Sequence, residues 1–148
     1  TGNSNGFSEL IDGGFIPGQH VGLVDHHLPD FVSVFERFTG VPYLWGGNSA
    51  WGVDCSGLLQ LALNAAGQEC PRDSDMQEIG LGYPLAQEEP MLRGDVVFWQ
   101  GHVGVMRDSE TLIHANAHHM AVASEPLASA SARIEQNDGG AVTSIRRL

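Results

Sequence analysis

Basic side chains are scarce in this chain of 148 residues. It contains no lysine, and its seven arginines are set against 18 aspartates and glutamates, for a formal net charge of −11. Because no basic cluster is available to neutralise phosphate groups, we expect neither nucleic acid nor an anionic membrane surface as a partner. No apolar run approaches the roughly 18 residues that a membrane-spanning helix needs, so no membrane span is expected either.

Cysteine is equally rare, with only Cys55 and Cys70 present. Two cysteines do not suggest a disulfide framework, and a domain of this size buries about two-thirds of its unfolded surface without one. Residues 1–6 lack the charged start and apolar stretch of a signal peptide. Since the chain begins with Thr1 rather than methionine, we expect a processed or cloned fragment and leave its targeting open.

The most informative segment is the glycine-rich approach to Cys55. From Cys55 to Gly67 the sequence is apolar on almost every side, which predicts a buried helix with the cysteine in its first turn. Unpaired backbone N–H groups at a helix N-terminus lower the pKa of a cysteine. The pattern therefore predicts a reactive thiolate, and the alternative is a cysteine that acts only as a small core residue.

The remaining elements predict an α+β domain. A helix precedes the cysteine helix, because apolar side chains recur there at helical spacing in Phe31, Val34, Phe35 and Phe38. Residues 71–90 are predicted to be a long irregular connection, of a kind that often contributes to binding. Strands are predicted at 96–99, 103–106, 111–115 and 141–146, and a helix or loop at 128–134. This order favours the cysteine helix packed on an antiparallel sheet.

Two histidines are placed to assist the thiol. A cysteine nucleophile needs a base and a group that orients the base. If Arg107 pairs with Thr111 across a three-residue turn, Gly104 faces His114, and His102 and His114 become diagonal neighbours on one face of the sheet. A two-residue turn would place the two imidazoles on opposite faces.

A metal site is the competing explanation for the histidines. His114, His118 and His119 lie close in sequence, but their spacing matches no compact zinc pattern, so no metal or other cofactor is expected. The three histidines of the N-terminal segment are expected on the surface, namely His20, His26 and His27.

Six segments, in their order along the chain, resemble the successive motifs of the NlpC-type cell-wall cysteine peptidases. They are residues 42–47 (PYLWGG), 54–58 (DCSGL), 71–77 (PRDSDMQ), 93–98 (RGDVVF), 101–105 (GHVGV) and 113–115 (IHA). The resemblance covers about residues 30–148. It implies a papain-like α+β core and cleavage of bacterial peptidoglycan peptides, typically between D-γ-glutamate and a diamino acid such as diaminopimelate or lysine.

The resemblance also assigns catalytic roles. It implies that Cys55 is the nucleophile, His102 the base and His114 the orienting third member of the triad. Tyr43 matches a tyrosine whose hydroxyl lies near the thiol, where it would help to hold the oxyanion together with the backbone N–H of Cys55. The alternative for Tyr43 is an ordinary tyrosine at the rim of the core.

Five further residues match substrate-binding positions of the family. Asp54 and Ser56 match positions that contact the substrate in relatives accepting a free L-Ala-D-γ-Glu end, where Asp54 would pair the amine; Asp54 is equally suited to cap the helix. Asp73 and Ser74 match positions that line the pocket for the diamino acid. Arg72 is expected either to pair a substrate carboxylate or to tie its own loop to the core.

Relatives of this kind often carry upstream SH3-like modules. We therefore expect residues 1–28 to be a linker or the tail of such a module and residues 29–148 to be the peptidase domain. Exo versus endo cleavage stays open, as does the choice between cytoplasmic murein recycling and export to the envelope. The rival functions are an acyltransferase or amidase that uses the same triad, and a catalytically silent peptidoglycan-binding module.

Overall fold

The computed structural model describes residues 3–86, 88–137 and 139–148. Within them lie a short 3-10 helix (Gly18–His20), four α-helices and eleven β-strands. The helices are α1 (Val32–Arg37), α2 (Cys55–Ala65), α3 (Ser74–Gly80) and α4 (Leu127–Gln136). The strands are β1 (Asn3–Ser4), β2 (Phe7–Glu9), β3 (Phe15–Pro17), β4 (Asn48–Ser49), β5 (Gly52–Val53), β6 (Tyr83–Pro84), β7 (Val96–Trp99), β8 (His102–Met106), β9 (Thr111–Asn116), β10 (Ala121–Pro126) and β11 (Ser144–Arg147).

The centre of the molecule is a six-stranded antiparallel sheet in the order β10-β9-β8-β7-β11-β6. Strands β7 to β10 are joined by short connections, so sequence neighbours pair along the sheet. Val105 lies opposite Ile113, and the backbone N–H of Arg107 donates to Thr111 at 2.7 Å. The predicted three-residue turn is therefore confirmed, and with it the register that puts His102 and His114 on one face.

Helix α2 packs on this sheet against β8 and β9, as the sequence predicts. Its interior residues Leu58, Leu59, Ala62 and Leu63 are fully buried, which explains why the helix has almost no polar face. Asp54 caps it, because its side chain accepts a hydrogen bond from the Gly57 backbone N–H at 2.7 Å.

The predicted helix before α2 is also present as α1. Val34 and Phe35 of its apolar face are buried, and Phe31 and Phe38 at its two ends pack against the same core. Helix α1 contacts both α2 and strand β9, so it packs beside the cysteine helix and against the sheet. Among the described residues, no helix is both long enough and apolar enough to cross a bilayer.

The connection over residues 71–90 is more regular than predicted. It contains helix α3 and strand β6, which the polar sequence hides because only one side chain of α3, Gln77, is buried. The Gln77 side-chain amide donates to the carbonyl oxygens of Ser56 (2.9 Å) and Pro71 (2.8 Å). A polar residue thus ties α3 to the start of α2, where an apolar stripe would ordinarily do so.

The C-terminal part differs from the prediction in two places. Strand β10 has no counterpart among the predicted elements, although it pairs with β9 along its whole length. The segment predicted as helix or loop is helix α4, and the last strand runs over Ser144–Arg147 rather than from residue 141. Both β10 and α4 carry residues of the candidate site.

The N-terminal strands β1 to β3 form an antiparallel sheet of their own. The segment that follows reaches the core at Leu28, whose backbone N–H donates to Ala65 at the end of α2 at 2.8 Å. His20, His26 and His27 are exposed, as predicted.

Candidate active site

Cys55 is the first residue of α2, and its side chain is almost fully buried. The structure has it as a free thiol, as it does Cys70, so no bridge consumes either sulfur. The backbone N–H groups of Val103 in β8, of Ser56 and of Cys55 itself lie near enough to the sulfur to act on its pKa, each in the lowering direction. The thiol therefore lies between the helix N-terminus and the strand that begins with His102.

These N–H groups do not decide the ionisation of the thiol. Burial is the strongest influence on the pKa of Cys55 and raises it, and the nearby Asp54 carboxylate adds to the rise, while the N–H groups oppose it. The expectation that the helix terminus lowers this pKa is therefore wrong in its net direction. The reason is that burial removes the water that would stabilise the thiolate, and the backbone N–H groups at the helix end do not make up for this loss.

His102 and His114 lie in contact on the face predicted for them. Nε2 of His102 is 2.7 Å from Nδ1 of His114, and the two rings meet edge to face with centroids 5.0 Å apart. His114 is completely buried. Burial lowers the pKa of His102 to about 3 and that of His114 to about 4, so both imidazoles are neutral at neutral pH.

The contact chain continues beyond the predicted triad. His114 Nε2 is 2.8 Å from Oε1 of Glu125 in β10, and Arg133 of α4 donates to both Glu125 oxygens, at 2.5 and 2.6 Å. Burial would raise the pKa of Glu125, but hydrogen bonds from Arg133 and His114 hold it at about 2. Sequence reasoning missed both residues because no motif marks them and β10 itself was not predicted.

Asp54 and Arg72 form an ion pair beside the thiol. The Arg72 guanidinium donates to Oδ1 (2.9 Å) and Oδ2 (2.7 Å) of Asp54 and to the Ser56 hydroxyl (2.9 Å). Asp54 also accepts the backbone N–H groups of Gly57 and Gly46. Of the two expectations for Arg72, the structure shows the contact that ties its loop to the core.

The predicted residues surround two adjoining pockets. One of about 490 Å³ contains all five predicted substrate-binding positions together with the thiol, namely Cys55, Asp54, Ser56, Arg72, Asp73 and Ser74. The other, of about 400 Å³, contains His102 and His114. Tyr43 lines both pockets, and burial, followed by the electrostatic influence of Cys55 and Asp54, raises the pKa of its hydroxyl, which stays a proton donor at neutral pH.

One group of side chains has a composition that suits a metal. Ligand atoms of His114, His119 and Glu125 lie within 4.8 Å of one another. Arg133, however, already contacts both oxygens of Glu125, and a guanidinium at that position repels a cation. The ion pair therefore accounts for this cluster without a metal.

The sequence model of the NlpC/P60 family matches residues 40–134, a range that contains the thiol, both imidazoles, Glu125 and Arg133. The chain belongs to the NlpC/P60 family. Its α+β architecture is the papain-like fold of these domains: an NlpC/P60 family protein from Bacillus cereus superposes with a TM-score of 0.67 at 28% identity, covering 92% of this chain and 44% of that one.

Curated members of the family are similar over the same region. The chain is 36% identical over 95 residues to the gamma-D-glutamyl-L-lysine dipeptidyl-peptidase of Bacillus subtilis, covering 58% of this chain and 31% of that protein. It is 33% identical over 87 residues to dipeptidyl-peptidase 6 of Lysinibacillus sphaericus, covering 57% and 31%. The matched region thus amounts to about a third of the length of these relatives.

Proposed function

We propose that this NlpC/P60 domain is a cysteine peptidase that hydrolyses stem peptides of bacterial peptidoglycan. The observation that carries the proposal is the position of a buried thiol at the N-terminus of α2, against the strand whose first residue, His102, contacts His114 at 2.7 Å. A thiol, a base and a group that orients the base are the parts that acyl transfer through a cysteine requires.

The proposed reaction starts from a neutral thiol and a neutral imidazole. His102 takes the proton of Cys55 as the sulfur attacks the scissile carbonyl, and the resulting oxyanion is held by the Cys55 backbone N–H and the Tyr43 hydroxyl. When the C–N bond breaks, His102 gives its proton to the leaving amine and a thioester remains on Cys55. Water, deprotonated by His102, then releases the acid and regenerates the thiol.

The bond cleaved is proposed to join D-γ-glutamate to a diamino acid, diaminopimelate or lysine. Support comes from the name of the B. subtilis relative, gamma-D-glutamyl-L-lysine dipeptidyl-peptidase. At the pocket rim, Asp73 is exposed and Ser74 partly so, which suits direct substrate contact. Because Asp54 and Arg72 already bind each other, we propose that they shape the pocket wall and hold Ser56 in place.

Incubation with a panel of stem peptides tests this function. We expect L-Ala-D-γ-Glu-diaminopimelate or its lysine analogue to yield L-Ala-D-Glu, identified by mass spectrometry, and Cys55→Ala to abolish the cleavage while retaining the circular dichroism of the parent. Cys70→Ala is the matched control, since this second free thiol lies outside the thiol pocket. Full activity in Cys55→Ala would refute the mechanism, and products carrying an added amine or alcohol would favour an acyltransferase.

We also propose that residues 1–28 belong to an upstream module or linker and residues 29–148 to the peptidase domain. Support comes from β1 to β3, which hydrogen-bond with one another in a sheet separate from the central one. Limited proteolysis is expected to cut within the exposed stretch 21–27 and leave a stable C-terminal fragment.

A further inference from the structure

The hydrogen-bond chain from His102 ends on a carboxylate with no proton to give. Glu125 is ionised at neutral pH, since the Arg133 guanidinium and His114 lower its pKa, and an ionised carboxylate only accepts hydrogen bonds. The 2.8 Å contact between Glu125 Oε1 and His114 Nε2 therefore requires the proton on His114 Nε2.

The position of this proton on His114 also determines which nitrogen of His102 is protonated. A neutral imidazole carries one proton, so His114 Nδ1 is then an acceptor. Its 2.7 Å contact with Nε2 of His102 requires that nitrogen to be the donor. His102, neutral as well, is left with an unprotonated Nδ1, which is the lone pair that a base needs in order to take the thiol proton.

We propose that Glu125, clamped by Arg133, is a positioning residue that sets the tautomers of His114 and His102 and thereby keeps Nδ1 of His102 basic. The proposal rests on the peptidase function proposed above. Glu125 touches neither of the groups that react; it acts through His114. The two histidines alone do not settle the matter, because their contact is equally consistent with the reversed pair of tautomers, in which His102 Nδ1 carries the proton.

Other groups near Glu125 leave this conclusion intact. His119 Nδ1 is 3.8 Å from Oε1, beyond hydrogen-bond distance, and lies 3.0 Å from the Asn116 side-chain oxygen, which accepts a hydrogen bond from it. Arg133 donates to both Glu125 oxygens, so the carboxylate cannot rotate away from His114 without breaking both bonds.

The wild-type protein provides the first test. In a long-range proton–nitrogen NMR spectrum of ¹⁵N-histidine-labelled protein at neutral pH, His102 and His114 are both expected to carry their proton on Nε2. A proton on Nδ1 of His102 overturns the proposal, whether or not the protein cleaves stem peptides. Failure of cleavage with the expected tautomers would instead contradict the peptidase function alone.

Variants provide the second test. Glu125→Gln places an amide group, which can donate a hydrogen bond, between Arg133 and His114. A donor facing Nε2 of His114 favours the reversed tautomers, so we expect His102 to shift toward the Nδ1-protonated form. We also expect kcat to fall about 10- to 100-fold with KM little changed. Glu135→Gln, an exposed residue of α4, removes the same charge and is expected to change neither quantity. Wild-type tautomers and kcat in Glu125→Gln would overturn the proposal.

Replacement of the clamp separates positioning from fold stability. Arg133→Lys keeps a cation beside Glu125 and so keeps the carboxylate ionised, although it loses the two-pronged contact. We expect a lowered thermal midpoint with the wild-type tautomers retained and kcat within about threefold of the parent. If this variant instead lost kcat as Glu125→Gln does without any change of tautomer, the ion pair would act only as a structural tie and the proposal would be overturned.

Discussion

Replacement of Arg72 by methionine tests the ion pair beside the thiol. The methionine side chain is unbranched and uncharged. Asp54 would therefore keep its hydrogen bonds from the backbone N–H groups of Gly57 and Gly46 but lose its ion pair with Arg72. Loss of one partner from a fully buried pair costs about 3–5 kcal/mol. Because the Arg72 side chain is 30% exposed and that of Asp54 is 11% exposed, we discount the loss to about 2 kcal/mol.

The pH dependence gives this prediction a second observable. Burial raises the pKa of Asp54, but Arg72 and the two N–H groups outweigh it and hold the pKa below its usual value. A lowered pKa in the native state stabilises the protein above the pKa of the unfolded chain, and this stability is lost as the pH falls through the native value. The difference between parent and Arg72→Met should therefore be full at neutral pH and shrink in acid.

Urea unfolding measures the effect, and Arg107→Met is the matched control. The Arg107 side chain is 49% exposed, and its partner Glu36 keeps a second arginine, Arg93, so its removal should cost less than about 1 kcal/mol. An Arg72→Met protein no less stable at neutral pH than Arg107→Met, or one whose deficit grew in acid, would contradict the assignment of Asp54 and Arg72 as a structural pair.

Three further measurements probe the thiol and the imidazoles. Gly104→Ala would place a Cβ 2.8 Å from Leu112 and 3.2 Å from the Cβ of His114, so the His114 ring should be displaced and both kcat and stability should fall. Gly22→Ala, which has open space around it, should change neither quantity. Equal effects of the two substitutions would contradict the packing around Gly104. Alkylation of Cys55 by iodoacetamide should have a pH midpoint above that of an ordinary cysteine, and a midpoint below it would show an ion pair in the resting enzyme. Because burial lowers the pKa of His114 from 6.5 to about 4 and that of His102 from 6.5 to about 3, urea unfolding should show stability falling as the pH drops from about 6.5 to 4, by up to about 1.4 kcal/mol per pH unit for each ring; a flat profile would contradict buried neutral rings.

The parts of the fold that could be predicted are those whose signal is local. Helix α2 follows from a segment that is apolar on almost every side, and the pairing of β8 with β9 follows from one turn of three residues. That register alone places His102 and His114 together, because side chains alternate strictly along a strand.

The parts that were missed depend on contacts distant in sequence. Helix α3 is held by Gln77, whose side-chain amide donates to the carbonyl oxygens of Ser56 and Pro71. The sequence does not reveal that these groups are neighbours. The pKa of Cys55 was predicted in the wrong direction for a similar reason. A helix N-terminus can be read from the sequence, but the depth at which the tertiary fold buries it cannot.

Two carboxylates at the candidate site, Asp54 beside Cys55 and Glu125 in contact with His114, share one arrangement. Asp54 is held by Arg72 and Glu125 by Arg133, each pair joining different segments of the chain. In a protein with seven basic against 18 acidic residues, each arginine offsets the charge of its carboxylate, and an Asp54 carboxylate without Arg72 would raise the pKa of Cys55 further. The negative charge left at the mouth of the thiol pocket is then that of the exposed Asp73 and Asp75, so a substrate amine would meet its counter-charge at the rim rather than beside the sulfur.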